Sequence, residues 1–102
     1  MATKKRKYGL KELEKDYGEL TFADLLLSHR LGEGLSQAEF AKQLGISAQR
    51  LCDFEKGRRL PNVKSTEKWA KKLGYSPQLW VQAVLQDQLR REKLKYKVSV
   101  AS

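Results

Sequence analysis

The stretch Leu35–Asn62, LSQAEFAKQLGISAQRLCDFEKGRRLPN, contains the start and stop signals of two short helices. Ser36 and Glu39 form a capping box, in which the serine hydroxyl accepts a hydrogen bond from an early backbone amide and the glutamate reaches back to the cap. A helix should therefore begin at Gln37. Gly45 ends this helix, because glycine tolerates the left-handed backbone that a sharp turn needs.

A second short helix is predicted directly after that turn. Ser47 is its cap, and the helix should run to about Lys56 before Gly57 stops it. Two helices that meet at a tight turn need a small residue at their crossing and apolar residues in the wedge between them. The residues that meet these conditions are Phe40, Ala41, Leu44, Ile46, Leu51 and Phe54. This spacing is that of a helix-turn-helix, whose second helix exposes a polar face that can enter the major groove of DNA.

Three more helices are predicted outside this pair. Thr21 begins the first of the chain, at the start of a run of apolar residues at helical spacing. Asn62 caps a fourth helix that ends at Gly74, and Ser76 with Pro77 begins a fifth, since proline at the first helical position loses no hydrogen bond. We therefore expect an all-α fold, a bundle of five helices.

The C-terminal part has more apolar surface than one packing face needs. The fifth helix has a wide apolar stripe that consists of Trp80, Val81, Val84, Leu85 and Leu89. After Lys93 the pattern changes to alternation, which predicts a short β-strand through Tyr96, Val98 and Val100. We expect a homodimer or partner interface here, with two strands pairing across a symmetry axis. Its expected residues are Trp80, Val84, Leu85, Leu89, Tyr96, Val98 and Val100.

The net charge of the 102-residue chain is +9, and it is unevenly distributed. Residues 36–75 contain nine basic and four acidic side chains, so the excess is largest around the two short helices. The run Lys4–Lys7 is basic as well, and we interpret it as a solvated arm rather than an arm that reaches into a groove. A basic surface beside a helix-turn-helix favours double-stranded DNA as the partner.

Several classes of protein are excluded. The chain is too short for two independent cores, and no stretch approaches the roughly 20 apolar residues of a membrane span. The basic N-terminus is not followed by the apolar region of a secretory signal, so the cytoplasm is the expected location. Cys52 and His29 are the only candidate nucleophile and base, and they fall on different helices. We expect no enzymatic activity, no bound metal and no cofactor.

With the helix before it and the helix after it, the stretch Leu35–Asn62 resembles the Cro and phage-repressor type of helix-turn-helix, also called the XRE family of bacterial regulators. The resemblance rests on Leu35–Asn62 and extends without a gap over residues 20–75. It implies a lambda-repressor-like bundle that binds operator DNA as a dimer and represses transcription. The expected organisation is a basic arm and lead-in over residues 1–19, a DNA-binding domain over 20–75 and a C-terminal helix and strand over 76–102.

The resemblance also implies which side chains of the third helix face the bases. Gln49 is the first choice for a base contact, because its amide donates and accepts at once on adenine. Arg50 has two options, a phosphate or a guanine edge. Ala48 offers only apolar contact, and Asp53 is unfavourable unless it accepts from a cytosine amino group or holds a neighbouring arginine. The expected base-contact residues are Ser47, Ala48, Gln49, Arg50, Cys52 and Asp53.

Further roles follow from the same resemblance. Gln37 matches a residue that donates to a phosphate and braces the third helix. Arg30 and Glu55 match a pair that joins the first and third helices by an ion pair. Phosphate contacts position a protein on DNA without reading its sequence. The expected phosphate-contact residues are Gln37, Lys56, Arg58 and Arg59.

A second function remains open at this point. Small proteins of this family often act as antitoxins, which bind a toxin through a terminal extension and repress the shared operon. Here the segment Tyr96–Val100 can add to the edge of a toxin's sheet, or the basic tail can meet an acidic toxin surface. Both functions use the same DNA-binding face.

Overall fold

The computed structural model describes residues 20–101, which form five α-helices. They are α1 (Phe22–Gly32), α2 (Gln37–Leu44), α3 (Ala48–Glu55), α4 (Val63–Leu73) and α5 (Pro77–Arg91). The predicted all-α bundle of five helices is confirmed. The basic run Lys4–Lys7 lies outside the described residues.

The helices begin where short polar side chains satisfy their first amides. Each cap accepts a hydrogen bond from the backbone N–H three residues later, which would otherwise lack an intrahelical partner. At the other end, Gly45 and Gly74 close α2 and α4 in the left-handed conformation, with φ of 76° and 85°. The five caps are Thr21, Ser36, Ser47, Asn62 and Ser76.

One apolar core receives side chains from all five helices. Phe22 of α1 packs edge-on against Trp80 of α5, with ring centroids 5.7 Å apart. α4 closes the end of α2 with two hydrogen bonds to carbonyls that the helix leaves without partners. Trp69 donates its indole N–H to the Leu44 carbonyl at 3.1 Å, and Lys72 Nζ donates to the Gln43 carbonyl at 2.6 Å.

α1 and α5 are also joined by a polar contact far apart in sequence. The backbone amide of Phe22 donates to Asp87 Oδ2 at 2.9 Å across 65 positions. The other oxygen of Asp87 accepts from Arg90 Nη1 at 2.5 Å. Burial raises the pKa of Asp87, although both of these donors favour its charged form.

Two residues expected at an interface lie in this core instead. Trp80 and Val84 are only 1% and 0% exposed. The apolar stripe of α5 packs this side against α1 and α4, so neither side chain is available to a second protein in this fold. Leu85 and Leu89, beside them on α5, are half-buried and keep some exposed surface.

The predicted short C-terminal β-strand is not formed in the described part of the chain. α5 ends at Arg91, and Lys93 takes a left-handed φ of 61°. Residues 94–101 then lie beside α5 and form neither a helix nor a strand. The side-chain amide of Gln86 takes the place of a partner strand. Its Nε2 donates to the Tyr96 carbonyl at 2.8 Å, and its Oε1 accepts from the Val98 amide at 2.8 Å. Helix α5 thus supplies the hydrogen bonds that a neighbouring strand would give.

His29 joins α1 to the connection between α4 and α5. Its Nδ1 lies 2.6 Å from the Tyr75 hydroxyl, and the Tyr75 ring stacks on Trp80 with centroids 5.2 Å apart. Burial lowers the pKa of His29, while the Glu33 carboxylate acts in the opposite direction. Burial raises the pKa of Tyr75, and Glu33 adds to that effect.

Candidate nucleic-acid interface

α3 has a buried side and an exposed side at its first turns. Leu51 and Phe54 are almost fully buried and hold the helix against the core. The cap and the first three helical residues point to solvent, while two further positions of the same face are half-buried. The exposed residues are Ser47, Ala48, Gln49 and Arg50, and the half-buried ones are Cys52 and Asp53. The fold thus brings together the six positions that the resemblance assigns to bases.

Glu55 fixes the C-terminal end of α3 on the buried side of the helix, and its side chain is only 4% exposed. Arg30 of α1 approaches it with two nitrogens, Nε at 2.7 Å from Oε2 and Nη2 at 3.1 Å from Oε1. A third nitrogen, Nη1, donates to the Leu35 carbonyl at 3.1 Å. The expected ion pair is present, and its two parallel hydrogen bonds make it geometrically specific.

Gln37 takes part in this same arrangement. Its Nε2 donates to Glu55 Oε1 at 2.9 Å, so the side chain braces the end of α3 from the first residue of α2. The resemblance implied that Gln37 braces the third helix, but it did not identify Glu55 as the partner. One amide N–H of Gln37 is engaged here, and its second N–H is the one that a phosphate contact would use.

Asp53 gathers three neighbouring side chains at the exposed face. Gln49 Nε2 donates to its Oδ1 at 3.2 Å, and Arg58 Nε donates to the same oxygen at 3.1 Å. Arg59 Nε lies 3.5 Å from its Oδ2. Of the two options left open for Asp53, the fold adopts the one in which it holds neighbouring arginines.

The turn after α3 brings these arginines back over the helix. Gly57 has a φ of 75°, a left-handed conformation that reverses the chain. The amides of Arg58 and Arg59 then donate to the Asp53 carbonyl at 2.8 and 3.3 Å. From the end of α5, Arg91 Nη2 donates to the Gly57 carbonyl at 2.6 Å, a contact that no local sequence signal indicates.

The electrostatics of this face favour an anion. Lys56, Arg50, Arg58 and Arg59 are all exposed here. The nearby carboxylate of Glu55 is buried and already paired with Arg30, and the carboxylate of Asp53 partly offsets these cations. Such a surface is suited to contacts with phosphates. We call the exposed side of α3, together with these four cations, the α3 face.

A protein family described as helix-turn-helix matches residues 26–80, just over half of the chain. The chain belongs to the XRE family of helix-turn-helix proteins. Proteins of this family are DNA-binding transcription regulators, and the matched part of this XRE-family protein includes α2, the turn and α3. No curated protein and no solved structure matches the chain.

Two kinds of feature are absent from the part of this XRE-family protein that the structure describes. Within residues 20–101, no helix combines the length and the apolar character needed to cross a bilayer. In the same range, no group of three or more His, Cys, Asp or Glu side chains is arranged to hold a metal ion.

Proposed function

We propose that this protein is a sequence-specific transcriptional repressor that binds operator DNA as a homodimer in the cytoplasm. The observation that carries the proposal is the α3 face. Arg30 and Gln37 bind Glu55 on the buried side of α3, while Gln49 and Arg50 are exposed to solvent. A rigidly held helix with an outward polar face is what docking into a major groove requires.

Base reading is assigned to the N-terminal half of α3. Gln49 is the central contact, because one amide both donates and accepts on adenine. Arg50 reaches either a guanine edge or a phosphate, and Ala48 contacts a thymine methyl. Ser47, Cys52 and Asp53 complete the groove-facing set.

Phosphate contact is assigned to the cations beside the helix. Arg58 and Arg59 extend from the turn at Gly57, and Lys56 lies at the end of α3. Gln37 would add its second amide N–H from the start of α2. These contacts set the position of α3 on the duplex and supply most of the salt-dependent affinity.

Dimerisation follows from the size of the reading surface. One domain of this type reads few base pairs, so two copies on two half-sites are needed for a specific operator. The half-buried Leu85 and Leu89 of α5 and the tail beside it offer apolar surface for that contact. Leu94 and Tyr96 of the tail are 45% and 69% exposed.

The test is selection of bound fragments from genomic DNA, followed by footprinting and analytical ultracentrifugation. We expect two inverted half-sites about 10 base pairs apart, one dimer per site and reduced transcription from a reporter that contains the site. A monomer bound to a single half-site would contradict dimeric binding, and increased reporter transcription would contradict repression.

A second candidate function is that of an antitoxin. The observation that favours it is the extended segment 94–101, which lies outside the helix-turn-helix and exposes Leu94 and Tyr96. Co-expression with the product of an adjacent gene should then yield a complex that a chain ending at Lys93 no longer forms. No complex with that product would leave only the repressor function.

A further inference from the structure

We propose that Asp53 is a positioning residue that fixes the amide orientation of Gln49 and couples it to Arg58 and Arg59. It thereby sets a preference for adenine over guanine at the base pair that Gln49 contacts. This inference rests on the proposed DNA-binding function of the α3 face. It adds a determinant that does not itself need to touch a base.

The first step is the orientation of Gln49. A free glutamine amide can rotate to present either its oxygen or its nitrogen to a base. An ionised carboxylate only accepts hydrogen bonds, so the group that lies 3.2 Å from Asp53 Oδ1 must be the nitrogen of Gln49. With that N–H engaged, the other amide edge presents one N–H and one C=O to the groove. Adenine offers the matching acceptor and donor, N7 and N6–H.

The second step is discrimination against guanine. Guanine presents two acceptors, N7 and O6, to the major groove. The one remaining N–H of the Gln49 amide can donate to one of them, but neither the Gln49 oxygen nor the Asp53 carboxylate can donate to the other. An acceptor-rich edge is therefore disfavoured twice, once by the fixed amide and once by the negative charge of Asp53.

The third step joins the base contact to the backbone contacts. The oxygens of the same carboxylate lie 3.1 Å from Arg58 Nε and 3.5 Å from Arg59 Nε. The Asp53 carbonyl also accepts from both backbone amides, so the turn and its side chains are held as one unit. Holding two long side chains before binding reduces the entropy that is lost when they contact phosphates.

The experiment compares the DNA affinities of Asp53→Asn and the wild-type protein. Three DNAs are used: the selected operator, the same operator with guanine in place of the adenine that Gln49 contacts, and random DNA. The asparagine has its own NH₂, so the Gln49 amide is free to turn in either direction. We expect the preference for adenine over guanine to fall about tenfold, while affinity for random DNA rises a few-fold because a negative charge is removed from the DNA-facing surface.

The matched control is Glu67→Gln, which makes the same charge change on α4. Glu67 is exposed and pairs only loosely with Lys71, at 3.7 Å. This variant should leave the base preference unchanged. If Asp53→Asn merely raises affinity for all three DNAs as Glu67→Gln does, Asp53 acts through net charge alone and the proposal is wrong.

A second variant tests the position of the carboxylate separately from its charge and from any effect on folding. Asp53→Glu keeps the charge but moves the carboxylate by one methylene, so we expect the base preference to fall without a rise in affinity for random DNA. An unchanged preference in both variants would overturn the proposal, and so would a loss of thermal stability with equal weakening on all DNAs. Absence of any sequence preference in the wild-type protein would instead contradict the proposed function itself.

Discussion

Arg30 Nε lies 2.7 Å from Glu55 Oε2, and this ion pair joins the first helix of the bundle to the last residue of α3. The two side chains are 15% and 4% exposed, so the pair is largely shielded from water. Removing one partner of such a pair leaves a buried charge without compensation, which is more costly than losing the attraction alone.

Arg30→Ala should therefore lower the free energy of unfolding by about 3 kcal/mol, because Glu55 remains buried and charged. Urea denaturation at neutral pH measures the change. The control is Lys71→Ala, which breaks an exposed pair with Glu67 and should cost no more than about 0.5 kcal/mol. A similar small effect for both variants would contradict a structural role for the Arg30 pair.

Gln49→Ala should weaken binding to the selected operator by about 1 to 3 kcal/mol and relax the preference at one base pair. The reason is that only the base contact, and no phosphate contact, is removed. Titration against operator and random DNA measures it, with Gln43→Ala on the exposed part of α2 as the matched control. An equal loss on random DNA would show that Gln49 does not read a base.

Arg58→Ala and Arg59→Ala should each weaken binding to every DNA sequence by a similar factor. Each should also reduce the slope of log K against log salt by about one unit, since one phosphate contact is lost. Affinities measured between low and moderate salt give the slope. Lys71→Ala, which removes a cation remote from α3 in the chain, should leave the slope unchanged if these assignments are correct.

The stability of the fold should decrease as the pH falls below about 6.5, the ordinary pKa of histidine. Burial lowers the pKa of His29 in the folded state, so the unfolded chain binds the proton more readily. The stability that neutral His29 contributes is fully present above the pKa of His29 in the unfolded chain. It is lost as the pH falls through the lower pKa of His29 in the folded protein. Urea denaturation at pH 7.5 and 5.5 should show the loss, and His29→Gln, which removes the only histidine, should show less of it.

Gln86→Ala should release the C-terminal tail from α5, because the two hydrogen bonds that hold Tyr96 and Val98 are lost. Faster hydrogen exchange at the Val98 amide is the expected result, with no change at the amides of α3. Gln88→Ala, at an exposed position of the same helix, is the control. Unchanged exchange at Val98 would mean that other contacts hold the tail.

The helix boundaries could be predicted because their signals are local. A cap such as Ser36 and a turn glycine such as Gly45 act within a few residues, and periodicity then identifies the buried side. The tail shows the limit of such reasoning. Alternation of Val98 and Val100 predicts an extended backbone but does not identify its hydrogen-bond partner, which here is a glutamine 12 positions away.

The candidate site was likewise predictable where the signals are local, but not where residues far apart in sequence meet. The exposed positions of α3 follow from helical spacing, and the Arg30 pair followed from the resemblance. The contacts of Gln37 with Glu55 and of Arg91 with Gly57 span 18 and 34 positions and depend on how whole helices pack. The apolar stripe that contains Trp80 and Val84 was recognised, but the sequence did not show which of its residues face the bundle.

The bond between the Phe22 amide and Asp87 has a consequence for how the chain folds. Bundles with mostly local contacts fold within microseconds to milliseconds, because little loop entropy is lost before each contact forms. The Phe22–Asp87 bond instead closes a loop of 65 positions, although the entropic cost of such a loop grows only slowly with length. We therefore expect the central helices to assemble early and the first and last helices to meet late. The DNA-binding motif would then be in place before the bundle closes.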